Sequence, residues 1–333
     1  MSAEVRLLVY FIVSAAVSLI AAPFAVRALR RLKAGQTVLG YVTQHEHKTG
    51  TPTMGGVIFL LPLVVVSAAE GTAFALVALA LTLGYAALGF LDDLIKIRFR
   101  RNLGLKAYQK IVGQLGLAAI AAYFCFAHPA VGTKISLPFG AGEGDLGWGI
   151  IPFVMLVYVA TTNSVNLTDG LDGLAATTSA GYFLTFAVLT FLAFSDAADA
   201  GEGERAEELF SLAAFSVSLF GGLLGYLVFN SNPAAVMMGD TGSLGLGAAA
   251  ASVATFSRAE LLLPLAGIMF VWSSISVILQ VISFRLTGRR VFLMAPFHHH
   301  LEMKGFSEPR ISALYLVVTL AAGALTLIFA RGI

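Results

Sequence analysis

Carboxylate side chains occur in short polar segments of an otherwise apolar chain. The segment Leu91–Lys96 carries Asp92 and Asp93 just ahead of Lys96. On a helix, both carboxylates would lie within one turn of that ammonium group. Adjacent carboxylates repel each other, and a lysine or a metal ion would relieve the repulsion. The pattern indicates either a catalytic or metal-binding pair, or a salt-bridged and solvated helix end.

A second polar segment covers residues 163–173 and reads NSVNLTDGLDG. Amides and carboxylates can bind a ribose, a base edge or a hydrated cation, and glycines let the backbone approach a ligand. A plain polar turn is the alternative interpretation. If the segment is helical, one of its faces carries Asn163, Asn166, Asp169 and Asp172.

A third polar segment runs from Asn230 to Ser243 and places Asp240 between two glycines. Backbone amides at a helix start favour phosphate, and Asp240 could hold the metal ion that accompanies it. Mg²⁺ takes one or two carboxylates, water and substrate phosphate, so sparse oxygen ligands favour Mg²⁺ over Zn²⁺. A role as a helix cap would also explain Asp240.

Histidine and lysine side chains mark two more segments. Residues 296–305 read PFHHHLEMKG, and three consecutive imidazoles cannot share one helix face, which disfavours a three-histidine zinc site. A histidine here could hydrogen-bond a pyrophosphate or donate a proton, or it could be an incidental surface residue. Residues 45–56 read HEHKTGTPTMGG, which could contact phosphate or form a polar loop.

Long apolar runs separate these segments. Of 333 residues, 58% are hydrophobic and 12% are charged, whereas soluble proteins have about a quarter charged residues. A membrane-spanning helix needs about 20 apolar residues. We therefore predict an all-α, polytopic integral membrane protein with about ten transmembrane helices in a single domain, residues 1–333. The predicted spans are 5–29, 55–69, 72–91, 111–127, 148–162, 173–194, 210–228, 242–256, 260–284 and 311–330.

Three details follow from the same runs. The first run is too long for a signal-peptide core, so we predict a retained helix. Cys125 is the single cysteine and lies in an apolar run, which excludes an internal disulfide. The ninth run continues past Phe284 to Met294, where it could bend into a separate amphipathic segment at the membrane interface.

The basic residues predict the orientation of the chain. Threading through ten spans puts 16 of the 21 lysines and arginines on the side that also carries the polar segments, and 5 on the other side. Basic residues accumulate in cytoplasmic loops. Both termini are therefore predicted to be non-cytoplasmic, with the active site on the cytoplasmic face.

The order DDxxK, NxxNLTDGLDGL, MGDTGS and PFHHHLEMKG resembles the phospho-N-acetylmuramoyl-pentapeptide transferase family, within the polyprenyl-phosphate N-acetylhexosamine-1-phosphate transferase superfamily. The resemblance covers essentially the whole chain. It implies transfer of phospho-MurNAc-pentapeptide from UDP-MurNAc-pentapeptide to undecaprenyl phosphate in the bacterial inner membrane. The implied products are lipid I and UMP, and the implied cofactor is Mg²⁺.

The resemblance also implies roles for individual residues. Asp92 and Asp93 would act near the lipid phosphate, Asp240 and Asn166 would bind Mg²⁺, and His299 would join the catalytic residues. The nucleotide pocket would be lined by Asn163, Asn166, Asp169 and Asp172. Further substrate contacts are expected from Lys48, Thr53, Lys96, Asn230, His298 and His300.

Several alternatives stay open at the level of sequence. Transfer could proceed by direct attack of the lipid phosphate or through an aspartyl-phosphate enzyme. A sister transferase for N-acetylglucosamine phosphate would share the aspartates, although the triple histidine argues against it. A transporter would place its acids near the bilayer midplane on repeated halves, and no repeat is visible. A homodimer is plausible, and no nucleic-acid partner is expected.

Overall fold

Helices dominate the computed structural model, which describes residues 1–32, 50–99 and 103–331. The described residues also contain one short antiparallel hairpin, with β1 at Lys134–Ser136 and β2 at Glu143–Asp145. The helices are α1 (Ala3–Arg31), α2 (Val57–Glu70), α3 (Ala73–Phe99), α4 (Ala107–Ala127), α5 (Ile150–Thr168), α6 (Leu174–Asp199), α7 (Gly203–Asn230), α8 (Gly239–Phe256), α9 (Leu263–Ala266), α10 (Ile268–Thr287), α11 (Phe297–Met303) and α12 (Glu308–Arg331).

Eight of the described helices are long and apolar enough to cross a membrane, namely α1, α3, α4, α5, α6, α7, α10 and α12. Helix α2 is apolar but has only 14 residues. Helix α8 has 18 residues, and every residue from Thr241 to Phe256 is buried inside the protein. The predicted all-α polytopic fold is confirmed. The ten predicted spans correspond to these eight helices together with α2 and the enclosed α8.

Small residues allow α8 to lie at the centre of the bundle. A Cβ atom at Gly247 would overlap the backbone of Thr162 on α5, and one at Gly89 on α3 would overlap the backbone of Asp240. Glycines at such crossings let helix backbones approach closely. The close packing brings the polar ends of α3, α5 and α8 together.

Helix boundaries differ from the predicted spans where polar residues are buried. Helix α3 continues to Phe99, so Asp92 and Asp93 lie inside it, and α5 continues to Thr168 through the predicted hinge. Gly267 divides the ninth run into α9 and α10.

The amphipathic continuation expected after Phe284 is not helical. Helix α10 ends at Thr287, and Gly288 adopts a left-handed conformation with φ of 68°. Glycine in this conformation is a common end to a helix, because other residues adopt it at a cost. Residues 289–296 are then irregular, and a new helix, α11, begins at Phe297.

Candidate active site

Three carboxylates converge where α3 meets the start of α8. One oxygen from each of Asp92, Asp93 and Asp240 lies within 4.8 Å of the others. The side chains of Asp92 and Asp93 are 5% and 3% exposed, and that of Asp240 is 16% exposed. The two motifs, which the sequence predicts on one face of the membrane, therefore meet in one cluster, with Asp240 the most accessible of the three aspartates.

Asp93 caps the N-terminus of α8. Its carboxylate accepts hydrogen bonds from the backbone amides of Asp240 (3.2 Å) and Thr241 (3.0 Å) and from the Thr241 hydroxyl (2.8 Å). A carboxylate at a helix start satisfies amides that have no partner within the helix and interacts favourably with its dipole. The capping role considered for Asp240 belongs to Asp93, which thereby fixes the backbone of Asp240.

Asp92 is covered by the chain that follows α3. Its Oδ1 accepts a hydrogen bond from the Leu105 amide at 2.8 Å, and its Oδ2 lies 2.6 Å from the Lys96 Nζ. A Cβ atom at Gly104 would overlap the Asp92 carboxylate. Close approach of the backbone at Gly104 thus shields Asp92 while leaving it paired with Lys96.

Two ammonium groups offset part of the charge of the three carboxylates. The Nζ of Lys96 lies 3.2 Å from Asp240 Oδ2 and 3.9 Å from Asp93 Oδ1, in addition to its contact with Asp92. The Nζ of Lys110, from the first turn of α4, lies 2.8 Å from the same oxygen of Asp240. Lys110 was not among the predicted site residues, because it stands alone at the start of an apolar run with no motif around it.

Two asparagine side chains of α5 lie near the site, one turn apart. Asn166 donates from its Nδ2 to Asp240 Oδ1 and to the Ser243 hydroxyl, both at 2.9 Å. One turn earlier, Asn163 donates to the Oε1 of Gln114 at 2.8 Å. Gln114 is fully buried and is a further residue that the sequence patterns did not reveal. Asn166 therefore contacts the Asp240 carboxylate, whereas Asn163 pairs with the buried Gln114.

Asp169 and Asp172 differ in environment although they are three residues apart. Burial, reinforced by the charges of Asp240 and Asp93, raises the pKa of Asp169 to about 8. Asp172 Oδ2 instead accepts hydrogen bonds from the Asn232 side chain (3.1 Å) and the Ala234 amide (3.0 Å). Asp172 thus fastens the α5–α6 turn to the segment before α8.

The segments that precede α2 and α8 lie side by side. The Pro52 carbonyl accepts from the Met237 amide at 2.7 Å, and the Met237 carbonyl accepts from the Gly55 amide at 2.9 Å. This pairing buries Thr53 beside Gly239.

Asn230 is buried and donates to the Val236 carbonyl at 2.9 Å. The predicted contact residue Lys48 lies outside the described residues.

The three histidines of α11 diverge, as the sequence predicted. His298 is buried against Gly170, where a Cβ atom would overlap its Nε2. His299 Nδ1 lies 3.0 Å from Glu302 Oε2. His300 Nδ1 accepts from the Leu293 amide at 3.1 Å, and burial and the Lys304 ammonium lower the pKa of His300. His298 therefore links α11 to the turn that carries Asp169.

The acidic cluster has the chemistry of a divalent-cation site. Its donors are carboxylate oxygens, which hard cations prefer. Lys96 and Lys110 now compensate these charges, so the cluster fits either ammonium groups or a metal ion as its counter-charge. Asn166 turns its amide nitrogen toward Asp240 and its Oδ1 toward Lys110 Nζ, 3.5 Å away.

Comparison with known proteins places this arrangement in a family. A profile described as glycosyl transferase family 4 matches residues 74–258, and a phospho-N-acetylmuramoyl-pentapeptide-transferase signature matches residues 48–60. Proteins named phospho-N-acetylmuramoyl-pentapeptide-transferase are similar over nearly their whole length. The one from Moorella thermoacetica is 45% identical over 93% of this chain and 95% of its own. Those from Heliobacterium modesticaldum and Halalkalibacterium halodurans are 44% and 41% identical, over 97% and 94% of both chains. The chain therefore belongs to the phospho-N-acetylmuramoyl-pentapeptide-transferase family, a family of membrane-embedded phosphoglycosyl transferases.

Proposed function

We propose that this protein transfers phospho-MurNAc-pentapeptide from UDP-MurNAc-pentapeptide to undecaprenyl phosphate, forming lipid I and releasing UMP. The observation that carries the proposal is the cluster of three carboxylates and two lysines at the ends of apolar helices. Phosphoryl transfer depends on positioning and on neutralisation of charge. A charged site at one end of a membrane bundle suits a soluble nucleotide sugar and a lipid phosphate that meet there.

Asp92 is the better candidate for the proton acceptor. Asp93 already accepts three hydrogen bonds from the start of α8, so its carboxylate is committed to the fold. In the proposed step, Asp92 takes the proton of the lipid phosphate, whose oxygen forms a bond to the β-phosphorus. The bond from that phosphorus to the bridging oxygen breaks, and UMP leaves with the electron pair. Lys96 and Lys110 would neutralise phosphate oxygens during transfer.

Mg²⁺ is the proposed cofactor, with Asp240 as its principal ligand because Asp240 is the most exposed carboxylate of the cluster. When bound, the ion would offset the negative charge of the pyrophosphate. Asn166 would be a ligand through its Oδ1, which faces Lys110 in this structure. Its role as a ligand stays a prediction.

The nucleotide is proposed to bind along the α5–α6 turn beside α11. Burial and the charges of Asp240 and Asp93 raise the pKa of Asp169, and in its protonated form Asp169 could donate a hydrogen bond to the nucleotide. His299 is proposed to meet the pyrophosphate or the sugar, with His298 and His300 setting the position of α11. Asn163, Asp172, Asn230 and Thr53 are buried or half-buried next to this region, and we propose that they shape the pocket.

The cellular setting follows from the same proposal. The protein would be one catalytic domain in the bacterial inner membrane, with the carboxylate cluster at the cytoplasmic face, and could act as a homodimer. The alternative two-step route would form an aspartyl phosphate before the lipid reacts. The test is to incubate the protein with the nucleotide sugar in the absence of the lipid acceptor. If phosphorylated Asp92 or Asp93 is then trapped, the reaction follows the two-step route and not direct attack.

The deciding experiment measures UMP released by the purified protein with undecaprenyl phosphate and Mg²⁺. We expect release with UDP-MurNAc-pentapeptide and none with UDP-N-acetylglucosamine. Asp240→Asn should abolish release, whereas Asp199→Asn, at the exposed end of α6, should not change it. Release with the second sugar would favour the sister transferase. No release with either donor by a folded protein would contradict the proposed function.

A further inference from the structure

A cavity of about 160 Å³ lies at the end of the bundle opposite the carboxylate cluster. It is lined by the last turns of α6 and α12, the first turn of α7, the turn after α8 and the start of the loop of the β hairpin. Helix α8 runs from Asp240 to this end, and its 18 residues rise about 27 Å. The cavity is therefore separate from the site of transfer.

Three arginines face this cavity, namely Arg205, Arg258 and Arg331. Each is paired with a carboxylate, and in each pair the arginine side chain is the more buried member. The exposed fractions are 31% for Arg205 and 52% for Glu202, 9% for Arg258 and 39% for Glu143, and 39% for Arg331 and 61% for Asp196. Glu202 and Glu143 are not part of the lining of the cavity, whereas Asp196 lines it beside Arg331, so the lining carries three guanidinium groups and one carboxylate.

The guanidinium groups retain hydrogen-bond donors for a ligand. Arg258 uses Nε on the Val131 carbonyl and NH1 on Glu143, and Arg331 uses NH1 on Asp196. Among the described residues, no hydrogen bond from the Arg205 guanidinium is found, and its ion pair with Glu202 spans 3.7 Å. Each guanidinium carries five N–H donors, so several remain for an anion.

The arginines also repel one another. Burial and the neighbouring Arg205 guanidinium lower the pKa of Arg258. The ion pairs of the three arginines contribute little where they are exposed, because solvent screens them. An anion with several oxygens, held between the guanidinium groups, would relieve this repulsion and accept bidentate hydrogen bonds.

Apart from Ser136, Asp196 and Ser257, the remaining lining of the cavity is apolar. Leu189 and Leu192 come from α6, and Leu327 comes from α12. Both helices are candidate membrane spans and the cavity lies at their ends, so we expect it near one surface of the bilayer. A ligand that combines an oxyanion with an apolar chain would match both the arginines and the leucines of this lining.

We propose that this cavity binds an anionic phospholipid, with its phosphodiester between Arg205, Arg258 and Arg331 and the start of an acyl chain along the leucines. The shared chemistry is that of a phosphate ester, which a lipid or a small soluble phosphodiester could supply. The apolar wall favours the lipid. The site lies in the leaflet opposite the carboxylate cluster, so its occupant is not the acceptor of the transfer reaction.

The test follows the thermal unfolding midpoint of the delipidated full chain in neutral detergent. Phosphatidylglycerol, phosphatidylcholine and the soluble headgroup glycerophosphoglycerol are titrated separately. We expect saturable stabilisation by phosphatidylglycerol alone. The double variant Arg205→Gln, Arg331→Gln should weaken the apparent affinity about tenfold or more, since lost charge-assisted hydrogen bonds of this kind cost at least a factor of ten. Arg258 is left intact because it holds the β hairpin.

Arg285→Gln serves as the matched control, since Arg285 is an exposed arginine at the other end of the bundle. Its response to phosphatidylglycerol should equal that of the wild type. UMP release by the double variant checks that it is folded. Equal stabilisation by both lipids, or an unchanged affinity in the double variant, would overturn the proposal. Stabilisation by glycerophosphoglycerol as strong as that by the lipid would overturn the lipid assignment in favour of a small-anion site.

Discussion

The three aspartates of the acidic cluster have identical side chains but different contacts. Asp93 caps α8, Asp92 pairs with Lys96 beneath Gly104, and Asp240 is left as the most accessible carboxylate. These differences come from hydrogen-bond donors on other segments. The residue types in the sequence predicted a charged site, but they did not distinguish the three aspartates.

Lys110 offers the sharpest test at the scale of a residue. Its Nζ lies 2.8 Å from Asp240 Oδ2, and Lys110→Met removes that charge while keeping an unbranched side chain of similar length. We expect kcat to fall by roughly 10²-fold, the usual loss when one electrostatic contact to a reacting group is removed. The measurement is UMP release at saturating donor and acceptor.

Lys106→Met is the matched control for this substitution. Lys106 lies one turn earlier and is exposed, and among the described residues it has no carboxylate partner. We expect its kcat to stay within about twofold of the wild type, as surface substitutions away from special contacts have small effects. Equal losses in both variants would mean that Lys110 acts through general surface charge and not through Asp240.

At the scale of an element, the turn between α5 and α6 depends on a small residue. A methyl group at position 170 would overlap His298 Nε2, so Gly170→Ala should displace α11 from this turn. We expect kcat to fall about 10²-fold, because a misplacement of about 1 Å at a reacting centre has this effect. The unfolding midpoint should fall only slightly, since α11 is a helix of only seven residues.

Gly116→Ala provides the comparison for that variant. Gly116 lies in α4, and a Cβ atom there would have no neighbour within 4 Å. Alanine should be neutral or should stabilise the helix by up to about 1 kcal/mol. If the Gly170→Ala variant folds normally and retains the wild-type kcat, the contact between His298 and the α5–α6 turn has no part in transfer.

The element boundaries show what a single sequence can and cannot predict. The ten apolar runs were found because the bilayer requires them, and each contains a helix. The extensions of α3 through Asp92 and of α5 through Asn166 were not predicted, since polar residues interrupt the apolar pattern there. Partners from α4 and α8 satisfy these residues, and such partners become visible only when the helices are packed. Lys110 and Gln114 were missed for the same reason.

At the scale of the whole molecule, stability should depend on a carboxylate far from the acidic cluster. Glu260, in the turn after α8, is 3% exposed, and among the described residues neither carboxylate oxygen has a hydrogen-bond partner. Burial raises the pKa of Glu260 from 4.5 to about 8, with the Arg258 charge acting in the opposite direction. The Cys125 thiol on α4 also interacts electrostatically with Glu260.

A raised pKa in the folded state means that folding favours the protonated form of Glu260. Its contribution to stability is full below about pH 4.5 and is lost as the pH rises to about 8. The loss is at most roughly 1.4 kcal/mol per pH unit over that interval. Glu260→Gln should flatten the decline of the unfolding midpoint between pH 5 and 8, whereas Glu202→Gln, on an exposed side chain, should leave it unchanged. An identical decline in Glu260→Gln would assign the pH dependence to other groups.

Orientation in the membrane is the last property that the charge pattern predicts. With 16 of 21 basic residues on the side of the acidic cluster, the loop between α6 and α7 should face away from the cytosol and the end of α10 should face it. In a Cys125→Ala background, Glu204→Cys should react with a membrane-impermeant maleimide added to spheroplasts, and Arg289→Cys should react only after the membrane is permeabilised. Both positions are exposed, so accessibility within the fold does not bias the comparison. The opposite labelling pattern would place the acidic cluster outside the cell, away from the cytosolic nucleotide sugar, and would contradict both the orientation and the proposed donor.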